Sequence, residues 1–277
     1  MNEIKTYKEF IKNESFVSGM RNRVRNAFIL GSSFGAKIEN SNNWIRFPYY
    51  HHVFDDEKQG FQRQLKYLAN FGDFISIDTA CEIFTGKEPI NGRYFCVSFD
   101  DGFQNCFTNM MDITGSLNVP VIIYLPTDYI GLNINNEEDR KKIVNFYPND
   151  PKPVSFLSWE QCKKMLAYKI SFGSHTCSHA HLIELNEDAI KQELEKSKLL
   201  IEQKLGTTCN HFACPWGKPG NDFSPEKTLH IVKSVGYKSF ATTIRGKMQK
   251  GGDVFMLKRD HLIAKWENYQ LKYFFGK

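Results

Sequence analysis

Val97-Ser98-Phe99-Asp100-Asp101-Gly102 is the stretch from which the fold can be read. An apolar run ends in two adjacent carboxylates and a glycine. Along a strand, neighbouring side chains point to opposite faces, but where the strand gives way to a turn that alternation fails, so both carboxylates can converge on one cavity. One of them can hold a metal while the other stays free to take a proton. Asp-Asp-Gly is also an ordinary turn sequence, so its meaning depends on what the rest of the chain brings to the same place.

Upstream, residues 44–50 read as a first strand that delivers His51 and His52 to its end. Phe61, Leu65 and Leu68 follow with helical spacing, and Gly72 stops that helix. A short strand is expected at 74–77, with Asp78 capping a helix over 79–84. The strand carrying the carboxylates spans 94–99 and precedes a helix over 105–117. Beyond Pro120, the run 121–125 is continuously apolar, as in strands buried inside parallel sheets. Residues 133–153 are polar, of mixed charge and Pro-rich at their end, and read as an insertion suited to act as a lid. Ser158-Trp159-Glu160-Gln161 is a capping box, and 170–173 is the next strand. Ile190, Leu194, Ile201 and Leu205 mark a long helix closed by Gly206, and 212–215 a further strand. Ser224-Pro225-Glu226 opens a helix that Gly236 ends, and the last strands are expected at 240–241 and 255–257, with a final helix over 267–275. Some seven alternations of strand and helix predict an α/β fold whose parallel sheet closes into a barrel, with functional residues at the carboxyl ends of the strands.

The 277-residue chain is a normal size for one such barrel, here assigned to 44–277, with 1–43 as an N-terminal helical extension without chemistry of its own. Within that extension, residues 16–30 are basic and partly amphipathic, and 31–43 read as a loop. At 41% hydrophobic and 24% charged, the composition is that of a folded protein with ample core. The net charge of +5 comes from lysines spread along the chain, which argues against nucleic acid as a partner and is compatible with peripheral membrane contact. Seven cysteines without a Cys-x-x-Cys pair, a polar N-terminus and no apolar run of about eighteen residues lead to the expectation of a cytoplasmic protein without a transmembrane segment. Oligomeric state is not legible.

The second constellation is Gly173-Ser174-His175-Thr176-Cys177-Ser178-His179, again directly after an apolar strand. Two imidazoles at i and i+4 and one carboxylate form a facial set with open positions, which is a catalytic rather than a structural zinc pattern. Cys177, between the histidines, is weighed as a further ligand and set aside because a thiolate would blunt the metal as a Lewis acid. His181 reads as a surface or supporting residue.

Together with Phe212-Ala213-Cys214-Pro215-Trp216-Gly217, these stretches resemble the first three motifs of the polysaccharide deacetylases, carbohydrate esterase family 4, over roughly residues 44–262. Tyr50-His51-His52-Val53 resembles the early Tyr-His-x-Val of one branch of that family. The resemblance implies a distorted (β/α)7-type barrel and metal-dependent removal of acetyl groups from amino sugars. It implies Asp101, His175 and His179 as metal ligands, most expectedly for zinc, with cobalt, nickel or manganese as alternatives. It implies Asp100 as general base and the Pro215-Trp216 turn as the wall of an acetyl pocket, with the Trp216 N–H helping to hold the oxyanion. Two departures stand out. The family's Leu-x-His general acid near the C-terminus has no counterpart after His261, leaving His51 and His261 as candidates. Ala213 stands where an arginine often orients the base, so Arg259 or Asp260 would have to supply that support; Arg259 is also counted among the substrate-contacting residues. Without a secretion signal the expected substrate is an N-acetylated sugar intermediate, nucleotide- or lipid-linked, of surface-polysaccharide synthesis. The rival readings are hydrolysis of a formyl or cyclic amide on the same barrel, and a non-catalytic carbohydrate-binding protein.

Overall fold

A computed structural model describes all residues except 1, 13–15, 37, 39–42, 87–89, 148 and 277. Among the described residues, ten strands run in chain order: β1 Trp44–Arg46, β2 Pro48–Tyr50, β3 Asp73–Phe74, β4 Arg93–Phe95, β5 Val97–Phe99, β6 Val121–Leu125, β7 Ile170–Ser174, β8 His211–Ala213, β9 Ser239–Ala241 and β10 Asp260–His261. The α-helices are α1 Tyr7–Phe10, α2 Phe16–Ser33, α3 Lys58–Leu68, α4 Ile77–Phe84, α5 Met111–Ser116, α6 Glu137–Asn145, α7 Trp159–Met165, α8 Glu187–Leu205, α9 Pro225–Ser234 and α10 Asn268–Phe275.

Seven strands form one curled parallel sheet in the order β10-β2-β5-β6-β7-β8-β9. The gap between its edges is spanned by the segment leading into β10. Leu257 N donates to Phe240 O of β9, and Asp260 N donates to Phe47 O beside β2. The strands interleave with helices as the apolar periodicity predicts, and β6 is buried along its whole length because helices cover its outer side and the barrel core its inner side.

Several expected elements differ in detail. The single strand read over 44–50 is two segments: β1 pairs with β4 in a small sheet of order β1-β4-β3, whereas β2 pairs with β5 in the barrel. The reading over 94–99 divides in the same way. The backbone ladder continues through both bends, with Cys96 N donating to Arg46 O, so an uninterrupted apolar run carries no mark of the change of sheet. Ser76, not Asp78, caps α4, accepting from Thr79 N at 3.1 Å. Asp78 instead accepts from buried His211, which also reaches Ser239. A π-helical segment, Cys106–Met110, precedes α5, and Val254–Met256 is a 3-10 turn rather than a strand. Residues 31–33 belong to α2, and part of the 31–43 loop reading, at 37 and 39–42, lies outside the described residues.

Candidate metal centre and active site

The candidate residues come from strand ends, where the chain turns sharply. Asp101 (φ 70°), Thr176 (66°), His179 (57°) and Trp216 (54°) all adopt left-handed backbone conformations without being glycine. Such residues are uncommon, and they collect where surrounding structure holds a functional geometry in place. At Gly102, with φ 62°, a Cβ would add to the backbone strain a contact 2.8 Å from Leu125 Cδ2 and 2.9 Å from Ile130 Cδ1, so a side chain there must displace both.

Asp101, His175 and His179 meet after β5 and β7, each offering a ligand atom, with all three such atoms within 4.8 Å of one another. Asp101 Oδ1 lies 3.4 Å from His175 Nε2 and 3.4 Å from His179 Nε2. The His175 ring is oriented by Nδ1, 2.7 Å from Ala213 O. A carbonyl can only accept, so Nδ1 carries the hydrogen and Nε2 is the ring atom presented to Asp101. Oδ1 of Asp101 is buried and accepts no hydrogen bond among the described residues. A carboxylate oxygen with no hydrogen bond, facing the Nε2 atoms of two imidazoles at 3.4 Å, is the kind of donor set a divalent metal bridges, so these residues fit one. Cys177 does not join it: its thiol points to Glu193 O at 3.4 Å and is pushed up to about 11 by burial.

Asp100 stands beside this group and is held by Arg259 in a two-pronged pair, Nη1–Oδ1 2.7 Å and Nη2–Oδ2 2.8 Å. Burial pushes the Asp100 pKa up, but the guanidinium outweighs it and the carboxyl ends below its ordinary range. Arg259 is itself fixed by Thr242 O at 2.9 Å and lies over the Tyr49 ring, 4.2 Å from its centroid. It is 1% exposed and is not among the residues that line the cavity, and its guanidinium is engaged by Asp100. Asp260 pairs with Arg46 at 2.9 Å and does not touch Asp100.

His51 Nε2 is 4.0 Å from Asp101 Oδ2, with the side chain one-third exposed. His261 packs edge-on against His51, ring centroids 5.0 Å apart, and burial pulls its pKa down to about 3. Trp216 is half exposed and packs against His179 at 4.6 Å and His181 at 4.9 Å. His181, braced between Glu184 and Asp222 at 3.1 Å each, therefore supports the Trp216 ring. Pro215, in the same turn, is buried and is not among the residues that line the cavity.

These groups open into a cavity of about 740 Å³, whose wall sequence reasoning described incompletely. Phe146 and Tyr147 of the polar insertion line it, with Phe146 packed 4.7 Å from His179. Tyr7, Phe10 and Ile11, from an extension read as inert, form another part. Phe10 sits against His52, Phe54 and Tyr147 at 5.1, 5.2 and 5.6 Å, and its carbonyl accepts from Lys152 of the insertion. His52 ties the same region together through Tyr147 Oη and Asn105 Nδ2, both at 3.1 Å, and burial holds it neutral with a pKa near about 3. The capping box Thr6-x-x-Glu9 was the available signal for α1.

The polysaccharide deacetylase family model matches residues 87–240, more than half of the chain and inclusive of both carboxylates and both histidines. The chain belongs to the polysaccharide deacetylase family. As such it is a hydrolase of carbon–nitrogen amide bonds. Similar solved structures include IcaB from Ammonifex degensii, 20% identical over 85% of this chain and 98% of that one with a TM-score of 0.69. The Streptococcus pyogenes deacetylase PplD in complex with acetate is 18% identical over 85% and 98%, TM-score 0.64. A de-N-acetylase from Aggregatibacter actinomycetemcomitans is 16% identical over 83% and 99%, TM-score 0.67. At these identities the likeness establishes the deacetylase barrel as the shared fold. No curated protein matches the sequence. No helix among the described residues is long and apolar enough to cross a membrane.

Proposed function

We propose that this deacetylase removes the N-acetyl group of an amino sugar, with a divalent ion, most favourably zinc, held by Asp101, His175 and His179. The observation that carries the reading is the orphaned Asp101 Oδ1 facing the Nε2 atoms of two histidines beside a second, unshared carboxylate. One carboxylate and two imidazoles suit zinc with positions left open, and cobalt, nickel or manganese are the alternatives. A divalent ion bound there acidifies a water and polarises the acyl oxygen.

The remaining work falls to the chain. Asp100 accepts the attacking water's proton, and Arg259 keeps its carboxylate aimed and ionised. The Trp216 N–H, without a protein acceptor among the described residues, faces the developing oxyanion, and the turn it shares with Pro215 backs the acetyl group. The departing amine needs a proton. His51 is the better placed donor, because it adjoins Asp101 and is partly open to solvent, whereas burial keeps His261 neutral in the free enzyme. Aromatic side chains along the cavity offer flat apolar faces to pyranose rings. The seven unpaired thiols support a reducing, cytoplasmic setting and with it a nucleotide- or lipid-linked substrate.

The test is incubation of zinc-loaded protein with nucleotide-linked, lipid-linked and oligomeric N-acetyl sugars. Release of acetate with a matching new amine is expected. Release of neither from any of them overturns the proposal, and formate or a ring-opened product from N-formyl and cyclic-amide substrates assayed beside them points to the rival amide hydrolases.

A further inference from the structure

Among its described residues, helix α2 buries one side and leaves an apolar strip of the other largely in solvent. Ile29 and Ser33 are buried toward α10, where Gln270 Nε2 donates to Asn26 Oδ1 at 3.4 Å. On the other side Met20, Val24 and Phe28, spaced by four, are 53%, 70% and 65% exposed, and Leu30 and Phe34 extend the strip. Large exposed apolar patches mark interaction surfaces rather than ordinary surface. The charge carried by α2 itself has a single sign. Between Glu14 and Glu39 the sequence holds Arg21, Arg23, Arg25 and Lys37 and no acidic residue, and Arg21 and Arg25 flank the strip in solvent.

The strip also connects to the rim of the cavity. Phe28 meets Tyr273 edge-on at 6.5 Å, Tyr273 meets Phe274 at 5.1 Å, and Phe274 stacks on Trp266 at 5.0 Å. The Arg245 guanidinium lies 4.5 Å from the Phe274 ring and donates to His261 O at 2.8 Å. Aromatic and basic side chains interleaved along an amphipathic surface are suited to the boundary between lipid headgroups and acyl chains.

We propose that α2 and this aromatic ladder form a docking surface for an anionic lipid bilayer. A second copy of the chain fits less well. Symmetric pairing of the strip would set arginine against arginine with no acid on either helix to relieve them. A bilayer of anionic lipids meets both features, taking the apolar side chains into its interface and the arginines at its headgroups. The inference does not depend on the hydrolytic reading, and it places the cavity rim beside a lipid surface.

The test is co-sedimentation of the full chain with vesicles of phosphatidylcholine alone and of phosphatidylcholine with phosphatidylglycerol. Binding to the anionic vesicles only, weakened by salt, is expected. Each arginine near such a surface accounts for roughly a fivefold gain in partitioning, so Arg21→Glu/Arg25→Glu is expected to weaken binding at least about tenfold. Val24→Asn/Phe28→Asn, at solvent-facing positions, is expected to do the same, with circular dichroism and turnover of a soluble substrate unchanged in both. No binding, equal binding to both vesicles, or binding insensitive to either variant overturns the proposal. So does a dimer in light scattering that the Val24/Phe28 variant dissolves, which would make a second copy the occupant.

Discussion

Replacing Arg259 with methionine leaves Asp100 buried beside a methyl group. The wild-type pair is sealed, with Asp100 3% and Arg259 1% exposed, and is joined by two short hydrogen bonds. Removing one partner of such a pair typically costs about 3–5 kcal/mol, because the remaining charge has neither water nor a counter-ion. For a chain of this size that corresponds to a Tm lowered by about 10 °C. Asp100→Asn alone strands the guanidinium and incurs a similar loss. The double variant Asp100→Asn/Arg259→Met leaves an unpaired amide but no unpaired charge, so part of the stability recovers and the two losses fail to add by about 2 kcal/mol or more. Arg259 now holds the Asp100 pKa down, and without it burial raises that pKa, so the Arg259→Met penalty shrinks as pH falls and Asp100 takes a proton. The same rise moves the acid limb of kcat/KM to higher pH. Urea unfolding of the four proteins at pH 5 and pH 8 measures these quantities. Losses that add within about 0.5 kcal/mol, or an Arg259→Met penalty that grows on acidification, would refute the assignment of Arg259 as the group that charges and aims Asp100.

Asp100→Asn is expected to lower kcat by about 10²–10⁴ while binding one metal ion per chain as before, measured by turnover and elemental analysis. If His51 protonates the departing amine, His51→Gln slows an amide far more than an activated aryl ester whose leaving group needs no proton; if His261→Gln shows that split instead, the proton comes from there. Glu57 is buried between Phe54 N and Lys265 N, and burial raises its pKa to about 7. The native state therefore binds a proton before the unfolded chain does, so this residue makes stability fall as pH rises between its ordinary value and about 7, and Glu57→Gln is expected to flatten that part of the urea-derived stability profile. Phe10→Ala opens the cavity wall shared with the insertion and is expected to raise KM more than it lowers kcat, which steady-state kinetics will resolve.

Chemistry concentrated at strand ends was easily read from the sequence, and chemistry assembled by packing was not. The Asp100-Asp101 pair, His175 and His179 could be singled out because the turns that carry them follow directly on apolar strands, while only the family resemblance chose Asp101 of the two carboxylates as the ligand. The partner of Asp100 could only be narrowed to Arg259 or Asp260, since both lie on the closing segment and are equally buried, and only the packing turns Arg259 to Asp100 and Asp260 to Arg46. The cavity wall was least legible. Phe10 and Tyr147 reach it from segments that carry polar or mixed composition, and neither has a periodicity that announces a buried aromatic face. The bends that divide 44–50 and 94–99 between two sheets were invisible for a related reason: every residue from Trp44 to Tyr50 is buried, so the pattern is the same on both sides of the bend.

The central claim is the shared cation, and anomalous diffraction at the zinc edge from crystals grown with zinc tests it most directly. One peak is expected, within about 2.0–2.2 Å of Asp101 Oδ1, His175 Nε2 and His179 Nε2, with Asp100 outside bonding distance. A cleft without a peak, or a peak bound through Cys177 or Asp100 in place of Asp101, would contradict it.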